Sequence, residues 1–107
     1  MQTLVRAILC NWLVCIAIWL ANGGNTLTQK AIGVFLPISA FVAIGLEHCI
    51  ANMFTAPLGL IIGHENWGEW IAFNLIPVTL GNVLSGVFVV GLGYALMFGR
   101  IKNVWKF

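Results

Sequence analysis

Two stretches of this chain, Ala7 to Gln29 and Trp70 to Gly99, contain no Asp, Glu, Lys or Arg. Each is at least as long as the roughly 20 residues an α-helix needs to cross a hydrocarbon core of about 30 Å. A third apolar stretch, Ala31 to Ile62, carries one formal charge, Glu47, with His48 beside it. Composition decides between buried helices of a soluble protein and membrane spans. Of 107 residues, 61% are hydrophobic and 7% are charged, against about 25% charged in a soluble domain. Too few charges exist to cover a surface facing water. The sequence is that of an all-α membrane protein with several spans.

The N-terminus does not read as a cleavable leader. Met1 to Ala21 has an Arg near its start, but its apolar run is longer than a typical leader core and two further spans follow. The net charge of +2 is too small to suggest nucleic acid as a partner; the expected surroundings are lipid.

The expected organisation is one transmembrane domain, with spans at about 3–21, 31–62 and 71–99 and a short basic tail at 100–107. Asn22, Gly23, Gly24 and Asn25 end the first span with turn-forming residues. The second span, as one continuous helix, would be about 48 Å long and overshoot the bilayer. Pro37, Gly45, Pro57 and Gly59 within it predict a broken or re-entrant middle segment. Non-helical backbone at membrane depth survives only inside protein or beside water. Gly63 to Glu69 reads as a polar turn, with His64 a solvated loop residue. In the third segment Pro77 is expected to separate a short piece, Ile71 to Ile76, from a spanning helix over Val78 to Phe98. Gly81, Ser85 and Gly86 supply small residues for close helix contact.

Three spans put the termini on opposite sides. Arg100, Lys102 and Lys106 mark the C-terminal end as cytoplasmic, although Arg6 runs against that pattern. The expected location is the cell's inner or plasma membrane. Trp19, Trp67, Trp70 and Trp105 fall near span ends, where aromatic belts form.

Glu47 and His48 carry the chemistry. A charge at the bilayer centre costs roughly 2.5–3.5 kcal/mol, so protein or water must surround it. Phe41, Gly45, His48 and Asn52 share one face if the helix is intact there. An imidazole can hold an anion or hand it a proton. Glu47 then points about 100° away, placed to attract a proton or to bond broken backbone. Asn11 and Asn82 are further amides in apolar surroundings. Each either fixes the His48 tautomer or satisfies an interhelical hydrogen bond. Glu47 and His48 point apart on a helix and have no third ligand nearby in sequence, so no metal site is expected. Cys10, Cys15 and Cys49 lack paired ligand spacing and read as small packing residues. Cys49 cannot pair with the adjacent His48 on one helix face. Neither an enzyme nor a cofactor is expected.

The run Ala7-Ile-Leu-Cys-Asn-Trp-Leu-Val-Cys-Ile-Ala17 resembles a motif of the formate/nitrite transporter family. So do Phe41-Val-Ala-Ile-Gly-Leu-Glu-His-Cys-Ile-Ala-Asn-Met-Phe54 and Asn74-Leu-Ile-Pro-Val-Thr-Leu-Gly-Asn82, in matching order and spacing. The resemblance implies an aquaporin-like protomer of two inverted halves, six spans in all, each half with a broken helix, assembled as a homopentamer. This chain then corresponds to spans four to six. The family's pore histidine falls on His48, its neighbouring glutamate on Glu47 and its constriction phenylalanine on Phe41. Its pore-associated asparagines fall on Asn11 and Asn82. Ile16, Leu46 and Cys49 depart mildly from the usual residues. The implied function is transport of small monovalent weak-acid anions, formate first, with nitrite or hydrosulfide as alternatives. An N-terminal half would be needed to complete each pore. The chain reads as a fragment, as half of a split transporter, or as a non-transporting subunit or remnant.

Overall fold

A computed structural model describes residues 1–63 and 66–99. Over these the chain forms four helices: α1 (Gln2–Gly23), α2 (Leu27–Ile44), α3 (Cys49–Gly63) and α4 (Trp67–Met97). The expectations for His64, Glu65 and the basic tail, including the orientation drawn from Arg100, Lys102 and Lys106 and the place of Trp105, lie outside the described residues.

The turn between α1 and α2 is built by local polar groups. Gly24 leaves the helix in an extended conformation, φ −83° and ψ 138°, and its N–H donates back to the Ala21 carbonyl at 3.2 Å. Thr26 then opens α2 with a reciprocal cap. Its Oγ1 accepts from the Gln29 N–H at 3.3 Å, while Gln29 Oε1 accepts from the N–H groups of Asn25 and Thr26 at 2.8 and 3.2 Å. These bonds satisfy donors that a helix start leaves free. The chain reverses, and Gly33 of α2 settles against Leu20 of α1, where a Cβ would lie 3.1 Å from the Leu20 Cβ.

Helix α4 runs alongside α1 in the same direction. Gly81 lies against Leu4 and Ala7, Asn82 against Ala7 and Asn11, and the Tyr94 ring stacks on Trp19 with centroids 4.1 Å apart. The seam uses helical spacing on both sides: Ala7, Cys10 and Ala17 from α1, and Val78, Gly81, Asn82 and Ser85 from α4, all buried. Gly81 sets the distance, because a Cβ there would fall 2.6 Å from the Ala7 Cβ.

Pro37 and Pro57 lie inside α2 and α3, and Pro77 does not divide the third segment, which is helical from Trp67 to Met97. A π-helical stretch, Ile71–Leu75, comes just before Pro77, and the Ile76 N–H reaches back to the Ile71 carbonyl. Such local widening re-satisfies backbone around a proline in membrane helices. A second π stretch, Ser85–Leu92, follows higher in α4.

The assembly is a slab of 53 × 41 × 19 Å. Among the described residues the fully buried side chains are small or medium-sized, Val78, Cys10 and Ser85 the largest of them. Such a slab has almost no interior of its own. Large apolar side chains such as Phe35, Ile44, Phe54, Ile62, Phe73 and Phe88 face outward. Lipid or other membrane helices must cover them. Helices α1, α2 and α4 are long and apolar enough to cross a membrane, while α3 is shorter.

Candidate functional site

The middle segment breaks at Gly45. That residue takes the left-handed conformation, φ 71° and ψ 41°, which glycine adopts without strain. The Leu46 N–H closes back onto the Phe41 carbonyl at 3.0 Å, and the Gly45 N–H onto Val42 at 3.1 Å, the bonding of a helix C-terminus ended by a left-handed residue. Gly45 to His48 then run outside any helix. Helix α3 restarts at Cys49, and the Asn52 N–H bonds to the His48 carbonyl at 2.8 Å.

Backbone freed at membrane depth needs partners, because hydrocarbon offers none. Asn82, only 4% exposed, provides them. Its Oδ1 accepts from the Cys49 N–H at 2.9 Å. Its Nδ2 donates to the Glu47 carbonyl at 3.2 Å and to the Ala7 carbonyl at 2.8 Å. The Asn82 carbonyl in turn accepts from Asn11 Nδ2 at 2.6 Å. One amide thus ties α1, the break and α4 together. Asn82 is the midpoint of Trp67–Met97, so the break sits halfway along the longest helix.

Glu47 and His48 are both half-buried, and they face different neighbours. The carboxylate Oε2 accepts from Asn52 Nδ2 at 2.6 Å and from Asn74 Nδ2 at 3.4 Å, and Asn52 Nδ2 also donates to Asn74 Oδ1 at 2.9 Å. Neutral amide donors suit a carboxylate and, unlike a cation, do not cancel its charge. The His48 ring lies over Phe41, centroids 5.9 Å apart and planes 26° from parallel, with Phe41 itself buried.

The break, rather than a shared helix face, brings Phe41 and His48 together. Asn52 bonds Glu47, although helical phase would have grouped it with His48. Asn11 and Asn82 act on backbone, and among the described residues neither amide bonds the imidazole. Asn74 had no assigned role in the sequence. Its signal was present: an amide inside an uncharged run, two turns before Asn82. The cysteines Cys10, Cys15 and Cys49 are free thiols. Among the described residues no cluster of three His, Cys, Asp or Glu could hold a metal ion.

Fold and site together define one half of an aquaporin-like channel fold, organised around a helix break level with the middle of its longest helix. The chain belongs to the formate/nitrite transporter family, whose family model matches residues 1–96. It is 46% identical over 105 residues to the formate channel BtFdhC of Bacillus thuringiensis, covering 98% of this chain and 40% of that protein. It is 37% identical to the formate channel FocA of Escherichia coli strain K12, covering 92% of this chain and 41% of that one. Among solved structures it resembles a pentameric formate channel with formate bound: TM-score 0.80, 36% identity, 92% of this chain and 46% of that chain covered. The chain therefore spans roughly two fifths of the length of these curated relatives.

Proposed function

We propose that this chain forms part of the pore wall of a channel or proton-coupled transporter for small monovalent weak-acid anions, formate first among them. The observation that carries the reading is the amide-tethered break, which holds an imidazole against a phenylalanine ring level with the centre of α4. The formate channels among its relatives support the choice of substrate.

A bare anion entering an apolar constriction loses its hydration at high cost. Near His48 the imidazolium N–H either donates a hydrogen bond to the anion or transfers its proton to a carboxylate oxygen. In the second case the N–H bond breaks as an O–H bond forms, and a neutral acid crosses. His48 regains a proton from solvent. Phe41, packed against the imidazole, narrows the path beside it. Glu47 biases the local potential, Asn52 holds Glu47, and Asn11 and Asn82 hold the break. The working protomer includes an N-terminal half, five protomers assemble, and the C-terminus faces the cytoplasm across the plasma membrane. The assembly moves its substrate without transforming it.

Flux into proteoliposomes made with the completed protomer tests this. Withdrawing the compensation of one charge at mid-membrane, about 2.5–3.5 kcal/mol, corresponds to roughly a hundredfold in rate. His48→Phe is expected to lower formate flux on that order and to flatten its pH dependence. Unchanged flux and pH dependence would reject the proton-donor role. Nitrite and hydrosulfide in the same vesicles rank the substrates, and an intact assembly that moves none of the three is a non-transporting subunit.

A further inference from the structure

Below the break, a chain of side-chain hydrogen bonds runs from Glu47 through Asn52 into α4. Asn52 Nδ2 lies 2.6 Å from Glu47 Oε2 and 2.9 Å from Asn74 Oδ1, which engages both of its hydrogens. An asparagine amide has two orientations of nearly equal shape that exchange donor for acceptor. With the Asn74 Oδ1 on one side and the carboxylate on the other, only the NH₂ of Asn52 fits between them. The reverse orientation would set three acceptors together. Turning both amides over at once is self-consistent only if Glu47 brings a proton of its own.

Asn74 is placed for this by its backbone. It lies in the π-helical stretch Ile71–Leu75, a geometry that is rare and gathers at functional sites. Its neighbours Phe73 and Ile76 face outward, whereas Asn74 is half-buried towards α3. It sits about 12 Å along α4 from Asn82, so the two amides grip the middle segment at different heights. Asn82 holds the backbone of the break, and Asn74 holds a side chain of it.

We propose that Asn74 is a positioning residue: by accepting one hydrogen of Asn52 it fixes that amide as a donor to Glu47, and so sets the place of the carboxylate beside His48. The functional consequence, though not the geometry, rests on the weak-acid reading above. Among the described residues the other titratable groups near the carboxylate are His48 beside it and Cys49 two residues on in sequence, and Cys10 on α1.

Two readouts on the complete membrane-reconstituted protein test it. The first is independent of transport: exchange of the Asn52 side-chain amide hydrogens with deuterated water, followed by nuclear magnetic resonance on labelled asparagine and assigned by its loss in Asn52→Leu. Asn74→Leu removes one acceptor and is expected to speed that exchange about tenfold, the factor one hydrogen bond provides. The second is the pH profile of formate flux. Asn52→Leu and Asn74→Leu should displace its midpoint in the same direction. The double variant should move it no further than Asn52→Leu alone, since Asn74 acts through Asn52. Asn74→Ala removes the same acceptor with less bulk and replaces the leucine variant should that fail to assemble. Unaltered exchange overturns the proposal, and so do additive displacements, which would mean that Asn74 acts on Glu47 directly across their 3.4 Å contact. An intact protein that carries no weak acid refutes the transport reading instead, and the exchange measurement then decides the positioning role alone.

Discussion

The seam between α1 and α4 and the break between α2 and α3 are neighbours joined at Gly81 and Asn82, yet opposite devices hold them. The seam works by the lack of a side chain: Gly81 lets Ala7 and the Leu4 carbonyl approach to where a Cβ would otherwise lie, at 2.6 and 2.8 Å. The break works by the presence of one: Asn82 supplies the bonds that non-helical backbone has lost. In a membrane, helices gain little from the hydrophobic effect against each other, so close contact and buried hydrogen bonds carry the association. Shape, distributed along a whole face, secures the seam. A few directed bonds secure the break, and these leave the side chains of Glu47 and His48 free for other partners.

The largest effect should come from filling the seam. Gly81→Val places atoms where the Leu4 carbonyl, a backbone group, cannot yield. Overpacking costs about 1–3 kcal/mol and occasionally more, and the fault here recurs at a helix contact with no slack. The expected outcome is loss of monodisperse protein in detergent. Ala7→Gly should restore part of it, by clearing the side-chain clash while leaving the carbonyl one. A Gly81→Val protein as thermostable as its parent would remove close packing from the comparison.

Asn82→Leu attacks the break itself and should rank second. The Cys49 N–H loses its acceptor and the Glu47 carbonyl its side-chain donor in apolar surroundings, at about 1–3 kcal/mol for each buried group left unpaired. Thermal unfolding in detergent measures the total. Hydrogen exchange at the Cys49 amide sharpens it: Leu should expose that amide, whereas Asn82→Asp keeps an acceptor oxygen and should leave it protected while losing both donor bonds. Protection of Cys49 in the leucine variant would show that something other than Asn82 holds the start of α3.

These two devices were unequally legible in the sequence. The seam could be read, because small residues at helical spacing, Gly81, Ser85 and Gly86, announce a contact face whatever their partner. The existence of a break was also readable, from the overlength of Ala31 to Ile62 and the charge within it. Its location was not, since Pro37, Gly45, Pro57 and Gly59 were all candidates. Prolines remove one donor each and can be absorbed by a membrane helix, whereas the left-handed turn at Gly45 redirects the chain. The same mechanism explains Pro77, which the π stretch before it absorbs. Helical phase grouped Phe41 and Gly45 with His48 and Asn52, and once α2 ends at Ile44 that phase does not carry across the break. The carboxylate takes Asn52 instead. Asn74 stayed hidden because its partner lies across the fold, and an amide in an apolar run does not say which neighbour it bonds.

The mildest change separates conformation from crowding. A Cβ at Gly45 would meet nothing within 4 Å, but its φ is 71°. Gly45→Ala should therefore cost only the left-handed penalty, about 1–2 kcal/mol, and Gly45→Asn less, since asparagine tolerates that region. Thermal unfolding of the pair in detergent checks the order. Should asparagine, the larger side chain, cost more than alanine at Gly45, space rather than backbone would govern the break. Alanine also favours continuing α2 past Ile44, which would draw the Phe41 ring away from His48. Formate flux should then fall further in Gly45→Ala than its small loss of stability alone would bring, whereas a matched loss of flux and folded protein would mean that the turn serves the fold and nothing else.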